Sequence, residues 1–169
     1  TILVEQGVMP ARPGIARIVK EAHLAGWTLA VASTSHEKSV RAVLNHAVGK
    51  ELAANFTVFA GDVVAKKKPA PDIYLLAIEK LNLNPDDVVV VEDSSNGLRA
   101  SLAAGLRTVV TISSYTANED FQGASLVVSS LGDIHGERAK VINNPSNLEI
   151  YGEVTLSNLQ QILKQPSLV

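Results

Sequence analysis

The sequence predicts an α/β fold with a parallel, doubly wound sheet flanked by helices. Three features carry that expectation. Short apolar runs alternate along the chain with stretches whose apolar residues recur at helical spacing. The central runs lack the polar alternation of a half-exposed strand, as expected of strands covered on both faces. Small or charged polar clusters follow these runs directly, at the strand ends where such sheets bind ligands. A β-α-β-α order of this kind implies parallel strands joined by right-handed crossovers.

The elements follow in order. Pro13 suits a helix start, and Ile15, Ile18, Val19 and Ala22 mark one helical face that ends at Gly26. Thr28-Leu29-Ala30-Val31-Ala32 reads as a buried strand, and Val40, Val43, Leu44 and Ala47 mark the inward stripe of a second helix. Thr57-Val58-Phe59-Ala60 is a strand that leads through Gly61 into a loop. After Pro71, Ile73, Leu76 and Ala77 continue helically towards Leu81, and Asn84-Pro85-Asp86 turns the chain. Val88-Val89-Val90-Val91 carries the strongest strand signal, and a helix through Leu98, Leu102 and Ala103 closes at Gly105. Arg107 to Thr111 and Leu126-Val127-Val128 add two strands, with loop from Ser113 to Gly123 between them. Glu153 to Lys164 reads as a last amphipathic helix with Leu156, Leu159, Ile162 and Leu163 inward.

Length and composition bound the function. The 169 residues suffice for one substantial core, and 46% hydrophobic against 19% charged residues with a net charge of −2 is ordinary for a globular chain. No sustained basic face is present for nucleic acid, and no apolar run reaches the ~18 residues of a membrane span. The absence of cysteine removes disulfides and thiolate metal sites and favours an intracellular protein. Asn55-Phe56-Thr57 matches a glycosylation sequon beside an apolar run and reads as chance, and Val48-Gly49-Lys50-Glu51 lacks the other residues of a phosphate-binding P-loop. Thr1-Ile2-Leu3-Val4 has neither an initiator Met nor signal-peptide character, so the chain reads as the continuation of a longer one.

Three polar clusters could carry chemistry. Ser33-Thr34-Ser35-His36 follows the first buried strand and opens a helix, where backbone N–H and hydroxyl groups can hold a phosphate; the same residues would also serve as an ordinary N-cap. In Lys66-Lys67-Lys68-Pro69-Ala70-Pro71-Asp72, Lys66 and Lys67 read as a solvated loop. Lys68, held extended before Pro69, can be aimed as a point charge at a phosphoryl group. Glu92-Asp93-Ser94-Ser95-Asn96-Gly97 follows the four-valine strand. Two adjacent carboxylates there repel and resist burial unless a cation or donors compensate them, and hard oxygen ligands suit Mg²⁺. An N-cap would account for Asp93 but leaves Glu92 without a purpose.

Taken together, Val31-Ala32-Ser33-Thr34-Ser35, Lys68-Pro69-Ala70-Pro71-Asp72 and Val91-Glu92-Asp93-Ser94-Ser95-Asn96-Gly97 closely resemble the second, third and fourth motifs of the haloacid dehalogenase superfamily. The stretches Ala25 to Ser35 and Val109 to Thr116 are similar to its branch of β-phosphoglucomutases and CbbY-type sugar-bisphosphate phosphatases. The resemblance covers roughly residues 8 to 128, and the tail after Gly132 matches no recognisable pattern. It implies a Rossmann-like core, with Ser33 and Lys68 as the catalytic residues present. Ser33, Thr34, Ser35, Lys68, His36 and Asn96 would face substrate phosphate, and Glu92 and Asp93 would hold Mg²⁺ directly or through water. The implied activity is hydrolysis of a small sugar phosphate through an aspartyl-phosphate. Xylulose 1,5-bisphosphate is the implied substrate, and the cytoplasm or the chloroplast stroma the implied place. A phosphosugar mutase and a non-catalytic binding module are the alternatives.

The departure from the family pattern is as informative. Family members attack phosphate from an Asp-x-Asp motif ending the first strand, and no Asp-x-Asp occurs in this sequence, whose first Asp is Asp62. Residues 1–10 therefore read as the end of a helical cap and its return linker, with 11–169 as the core. The nucleophile and most of the cap are then expected upstream, in a segment with which this chain would partner. With the nucleophile's strand missing from the interior of the sheet, the strands ending at Ser33 and at Glu92 are expected to present unpaired edges or to pair abnormally.

Overall fold

A computed structural model describes residues 12–113 and 116–166 in full, together with the backbone of 2–4. Seven strands form one sheet in the order β3-β2-β1-β4-β5-β6-β7. They are β1 (Ile2–Val4), β2 (Leu29–Ala32), β3 (Phe56–Phe59), β4 (Val89–Glu92), β5 (Arg107–Thr111), β6 (Leu126–Val128) and β7 (Val141–Asn143). All neighbouring pairs are parallel except β6 and β7. The helices are α1 (Ile15–Leu24), α2 (Glu37–Val48), α3 (Lys50–Ala53), α4 (Asp72–Lys80), α5 (Ser95–Ala103) and α6 (Leu156–Lys164).

The uninterrupted apolar strands divide their side chains between two cores. Leu29, Val31, Val89 and Val91 pack with Ile18 and Val19 of α1, Leu44 of α2 and Leu159 and Ile162 of α6. Ala30, Ala32, Val88 and Val90 face the other way, onto Ile73, Tyr74 and Ala77 of α4 and Ala100 of α5. This period-two division is why the strands show no polar alternation: each face has its own helical layer.

One expectation is overturned. The place between β2 and β4, expected to be vacant, is held by Ile2–Val4, with Leu3 opposite Ala30 on one side and Val90 on the other. Three consecutive aliphatic residues of high strand propensity suit a central strand, and their backbone supplies the partners that the edges of β2 and β4 would otherwise lack. Neither the unpaired edges nor the abnormal pairing expected of these two strands is found. Ile2–Val4 is sheet, not linker; the assignment of 5–10 to a cap end lies outside the described residues.

Two further elements carried no usable sequence signal, the single-turn α3 and the antiparallel edge strand β7, while the turn read at Asn84-Pro85-Asp86 is a 3₁₀ turn at Pro85–Asp87. The tail from Asp133 to Glu153 is pinned by Arg17 of α1. Its guanidinium donates to the carbonyls of Leu131, Gly132 and Val154 at 3.1, 2.9 and 2.7 Å and pairs with Glu21, Asp133 and Glu153. Gly14 precedes α1 with φ 88°, and a Cβ there would stand 2.6 Å from the Gly132 carbonyl oxygen, so only glycine permits this approach.

Candidate functional site

Parallel strands end together, so Ser33 after β2 and Asp93 after β4 emerge on the same rim, two strand spacings or roughly 9–10 Å apart across β1. Lys68 arrives from the loop before α4, across a cis Lys68–Pro69 peptide. Its ammonium donates to the Ala32 carbonyl at 3.1 Å and to Glu92 Oε1 at 2.7 Å, and its side chain is only 10% exposed. One cation thus ties the residue before Ser33 to the residue before Asp93. The residues joined lie 36 and 24 positions away from it along the chain.

Glu92 is turned inward. Its side chain is fully enclosed, and Oε1 accepts from both Lys68 Nζ and the hydroxyl of Tyr74. Oε2 is buried without a hydrogen-bond partner among the described residues. Burial drives this carboxyl above its ordinary value, opposed by the Lys68 charge and by the Lys68 and Tyr74 hydrogen bonds. Asp93 is half-buried and also raised, chiefly by desolvation; the Lys68 and Arg12 charges oppose the rise and Glu119 adds to it. The N-cap of α5 is Ser94, which accepts from the Gly97 amide at 3.1 Å. Asp93 is therefore released from the capping role that competed with metal binding in the sequence.

The other predicted residues divide. Ser33 is buried, its amide donates to the Phe59 carbonyl, and its Oγ accepts from the Ser35 amide at 3.1 Å; this turn sets the loop that also carries half-buried Thr34. His36 stands at the start of α2. It is exposed and caps α2, with Nδ1 accepting from the Lys38 amide at 3.2 Å. Asn96 lies on the exposed side of α5, with its side-chain carbonyl accepting from Arg99 at 3.1 Å. Lys66 and Lys67 are exposed as expected, and Lys67 pairs with Asp62 at 3.5 Å.

Four residues around the site were given no role of their own by the sequence reading. Tyr74 reads as one more apolar position of α4. Gly97 lies against the Glu92 carboxylate, where an added Cβ would come within 1.9 Å of Oε2. Arg12 donates to the carbonyls of Ile112, at 2.6 Å, and Ser129, and places its charge near Asp93. Glu119 accepts from the Ser95 amide at 2.7 Å at the start of α5. Only Gly97 had a legible signal, as a glycine inside a helical pattern.

The donor set suits a hard divalent cation, although among the described residues no group of three or more His, Asp or Glu side chains gathers around one point. Two neighbouring carboxylates are raised by burial, and one keeps a buried oxygen without a hydrogen-bond partner. A cation relieves both conditions, with its remaining positions left to water and phosphate.

Comparison with known proteins agrees with this geometry. The sequence profile of haloacid dehalogenase-like hydrolases matches residues 3–105. A CBBY-like protein of Arabidopsis thaliana is 49% identical over 137 residues, covering 81% of this chain and 43% of its own length. The crystal structure of CbbY from Rhodobacter sphaeroides in complex with phosphate has TM-score 0.67 and 46% identity, covering 70% of this chain and 53% of that one. The structure of its mutant in complex with xylulose-(1,5)bisphosphate has TM-score 0.68 and 44% identity, covering 74% and 56%. The chain spans about half the length of the curated relatives it matches. With the profile spanning more than half the chain and the three motifs meeting at one rim of the sheet, this chain belongs to the haloacid dehalogenase-like hydrolases.

Proposed function

We propose that this chain is the phosphate- and cation-binding part of a phosphatase acting on a small sugar phosphate. The single observation that carries the reading is the Lys68 ammonium, nearly buried between the ends of β2 and β4 and shared by Ala32 and Glu92. A nearly buried cation at the rim where strand-end ligands bind is a ready counter-charge for a phosphoryl group. The Ser33–Ser35 turn would orient the phosphate through the Ser33 hydroxyl and nearby loop donors. Glu92 would hold Lys68 in place and act on a cation through water, and Asp93 would ligate it directly. Mg²⁺ held there would neutralise charge on the phosphoryl oxygens.

The similarity to CbbY, solved with xylulose-(1,5)bisphosphate, supports that compound as the substrate of the intact enzyme. No Asp-x-Asp occurs in the sequence, so the attacking Asp would come from a segment outside it, and the chain alone would bind phosphate without turnover. That lack also favours the second reading, a non-catalytic binding module. Titrating the chain with inorganic phosphate and Mg²⁺ by NMR tests the site: the Ser33, Thr34 and Lys68 signals should shift together, and an unmoved Lys68 refutes the assignment. Hydrolysis of xylulose 1,5-bisphosphate after adding the upstream segment of the parent gene separates enzyme from module.

A further inference from the structure

Tyr74 lies near the start of α4, six residues after Lys68, and is completely buried. Its hydroxyl donates to Glu92 Oε1, the same oxygen that Lys68 Nζ reaches at 2.7 Å. The ammonium is 3.3 Å from that hydroxyl and 4.8 Å from the ring centroid. The three groups close a triangle inside the protein. Packing alone does not call for the hydroxyl, since Phe would fill the same space between Ile73, Ala77 and the sheet without a polar atom to satisfy.

The chemistry of Lys explains the arrangement. A Lys ammonium ends a flexible stem and has no fixed fork of donors, so its acceptors decide where its charge sits. Ala32 fixes it from β2, Glu92 from β4, and the Tyr74 hydroxyl and ring from α4. By donating to Oε1, Tyr74 also anchors the carboxylate on which Lys68 depends. We propose that Tyr74 is a positioning residue of the phosphate site, whose hydroxyl and Glu92 together fix the Lys68 ammonium where it meets the anion. The proposal rests on the phosphate-site reading above.

Isothermal titration of the full chain with inorganic phosphate, in the presence of Mg²⁺, tests it in wild type, Tyr74→Phe, Lys68→Met and the double variant. Tyr74→Phe keeps the ring and loses only the hydroxyl. It should weaken phosphate binding on the order of tenfold, as expected for one hydrogen bond to a charged partner, while the thermal midpoint stays near that of wild type. On the Lys68→Met background the same substitution should have no effect on affinity, because its action passes through the ammonium. The NMR signal of the Lys68 ammonium gives a reading that a structural role would not move: sharp in wild type and broadened in Tyr74→Phe. Equal affinity in wild type and Tyr74→Phe, an equal loss on both backgrounds, or an unchanged ammonium signal overturns the proposal. A wild-type chain that takes up no phosphate overturns the phosphate-site reading itself, and this inference with it.

Discussion

Gly97→Ala separates a structural account of the motif from a generic one. In an ordinary helix, replacing glycine by alanine stabilises by roughly 0.5–1 kcal/mol, because the unfolded chain loses freedom. Gly97 has no positive φ and lies in the first turn of α5, so that rule on its own predicts a gain. The structure predicts the reverse. An added Cβ would stand 1.9 Å from Oε2, 2.1 Å from Cδ and 2.5 Å from Oε1 of Glu92. The carboxylate cannot swing aside, since it is fully enclosed and Oε1 is held by Lys68 and Tyr74. Helix α5 must retreat from β4, and overpacking of this kind costs about 1–3 kcal/mol. For a domain of this size that lowers the thermal midpoint by roughly 2–12 °C. Differential scanning calorimetry of Gly97→Ala on wild-type and Glu92→Ala backgrounds provides the assay. On the second background the obstructing carboxylate is gone, and Gly97→Ala should be neutral or stabilising. A midpoint that rises on the wild-type background, or an equal loss on both, would refute the reasoning.

Other outcomes follow from the same geometry. The Glu92 pKa lies above its unfolded value, so its contribution to stability is full below the unfolded carboxylate range and is lost as pH rises through the folded value. Lys68 opposes that rise. Lys68→Met should therefore cost more as pH rises out of the carboxylate range, towards the roughly 3–5 kcal/mol of a broken buried pair, because Glu92 loses the charge that favours its ionised form. Urea midpoints across that pH rise check this, and a deficit that shrinks with rising pH contradicts it. Asp93→Asn should weaken Mg²⁺ binding about tenfold or more, whereas Lys66→Ala and Lys67→Ala, both exposed, should change it less than about twofold; calorimetric titration with Mg²⁺ decides, and equal effects would mean that Asp93 is no ligand. Arg17→Ala should cost about 2–4 kcal/mol by taking the side-chain donor from the Gly132 and Val154 carbonyls, Leu131 keeping the Val154 amide, and limited proteolysis should then cut first between Asp133 and Glu153.

The sequence determined a good deal without help. The helical spacing of Ile15, Ile18, Val19 and Ala22, the doubly apolar runs at Leu29 and Val88 and the polar residues after them fixed the fold class and the rim where the site lies, because burial periodicity and strand-end chemistry are local properties of the chain. Lys68 and Asp93 were legible for the same reason: each stands in a local context, before a proline or after a buried strand, that a solvated loop residue does not need. Tertiary structure decided the rest. Ile2–Val4 is one apolar triplet among several, and only the paired edges of β2 and β4 on either side give it a central place. Tyr74 looks like core until the loop before α4 brings Lys68 over its ring, and only the fold shows that Glu92 Oε1 is shared by Lys68 and Tyr74. Arg12 and Arg17 are unremarkable in sequence because their acceptors are backbone carbonyls 100 or more positions away, and every residue offers the same carbonyl. Which carbonyl meets which side chain is set by how the layers pack, and no local pattern records it.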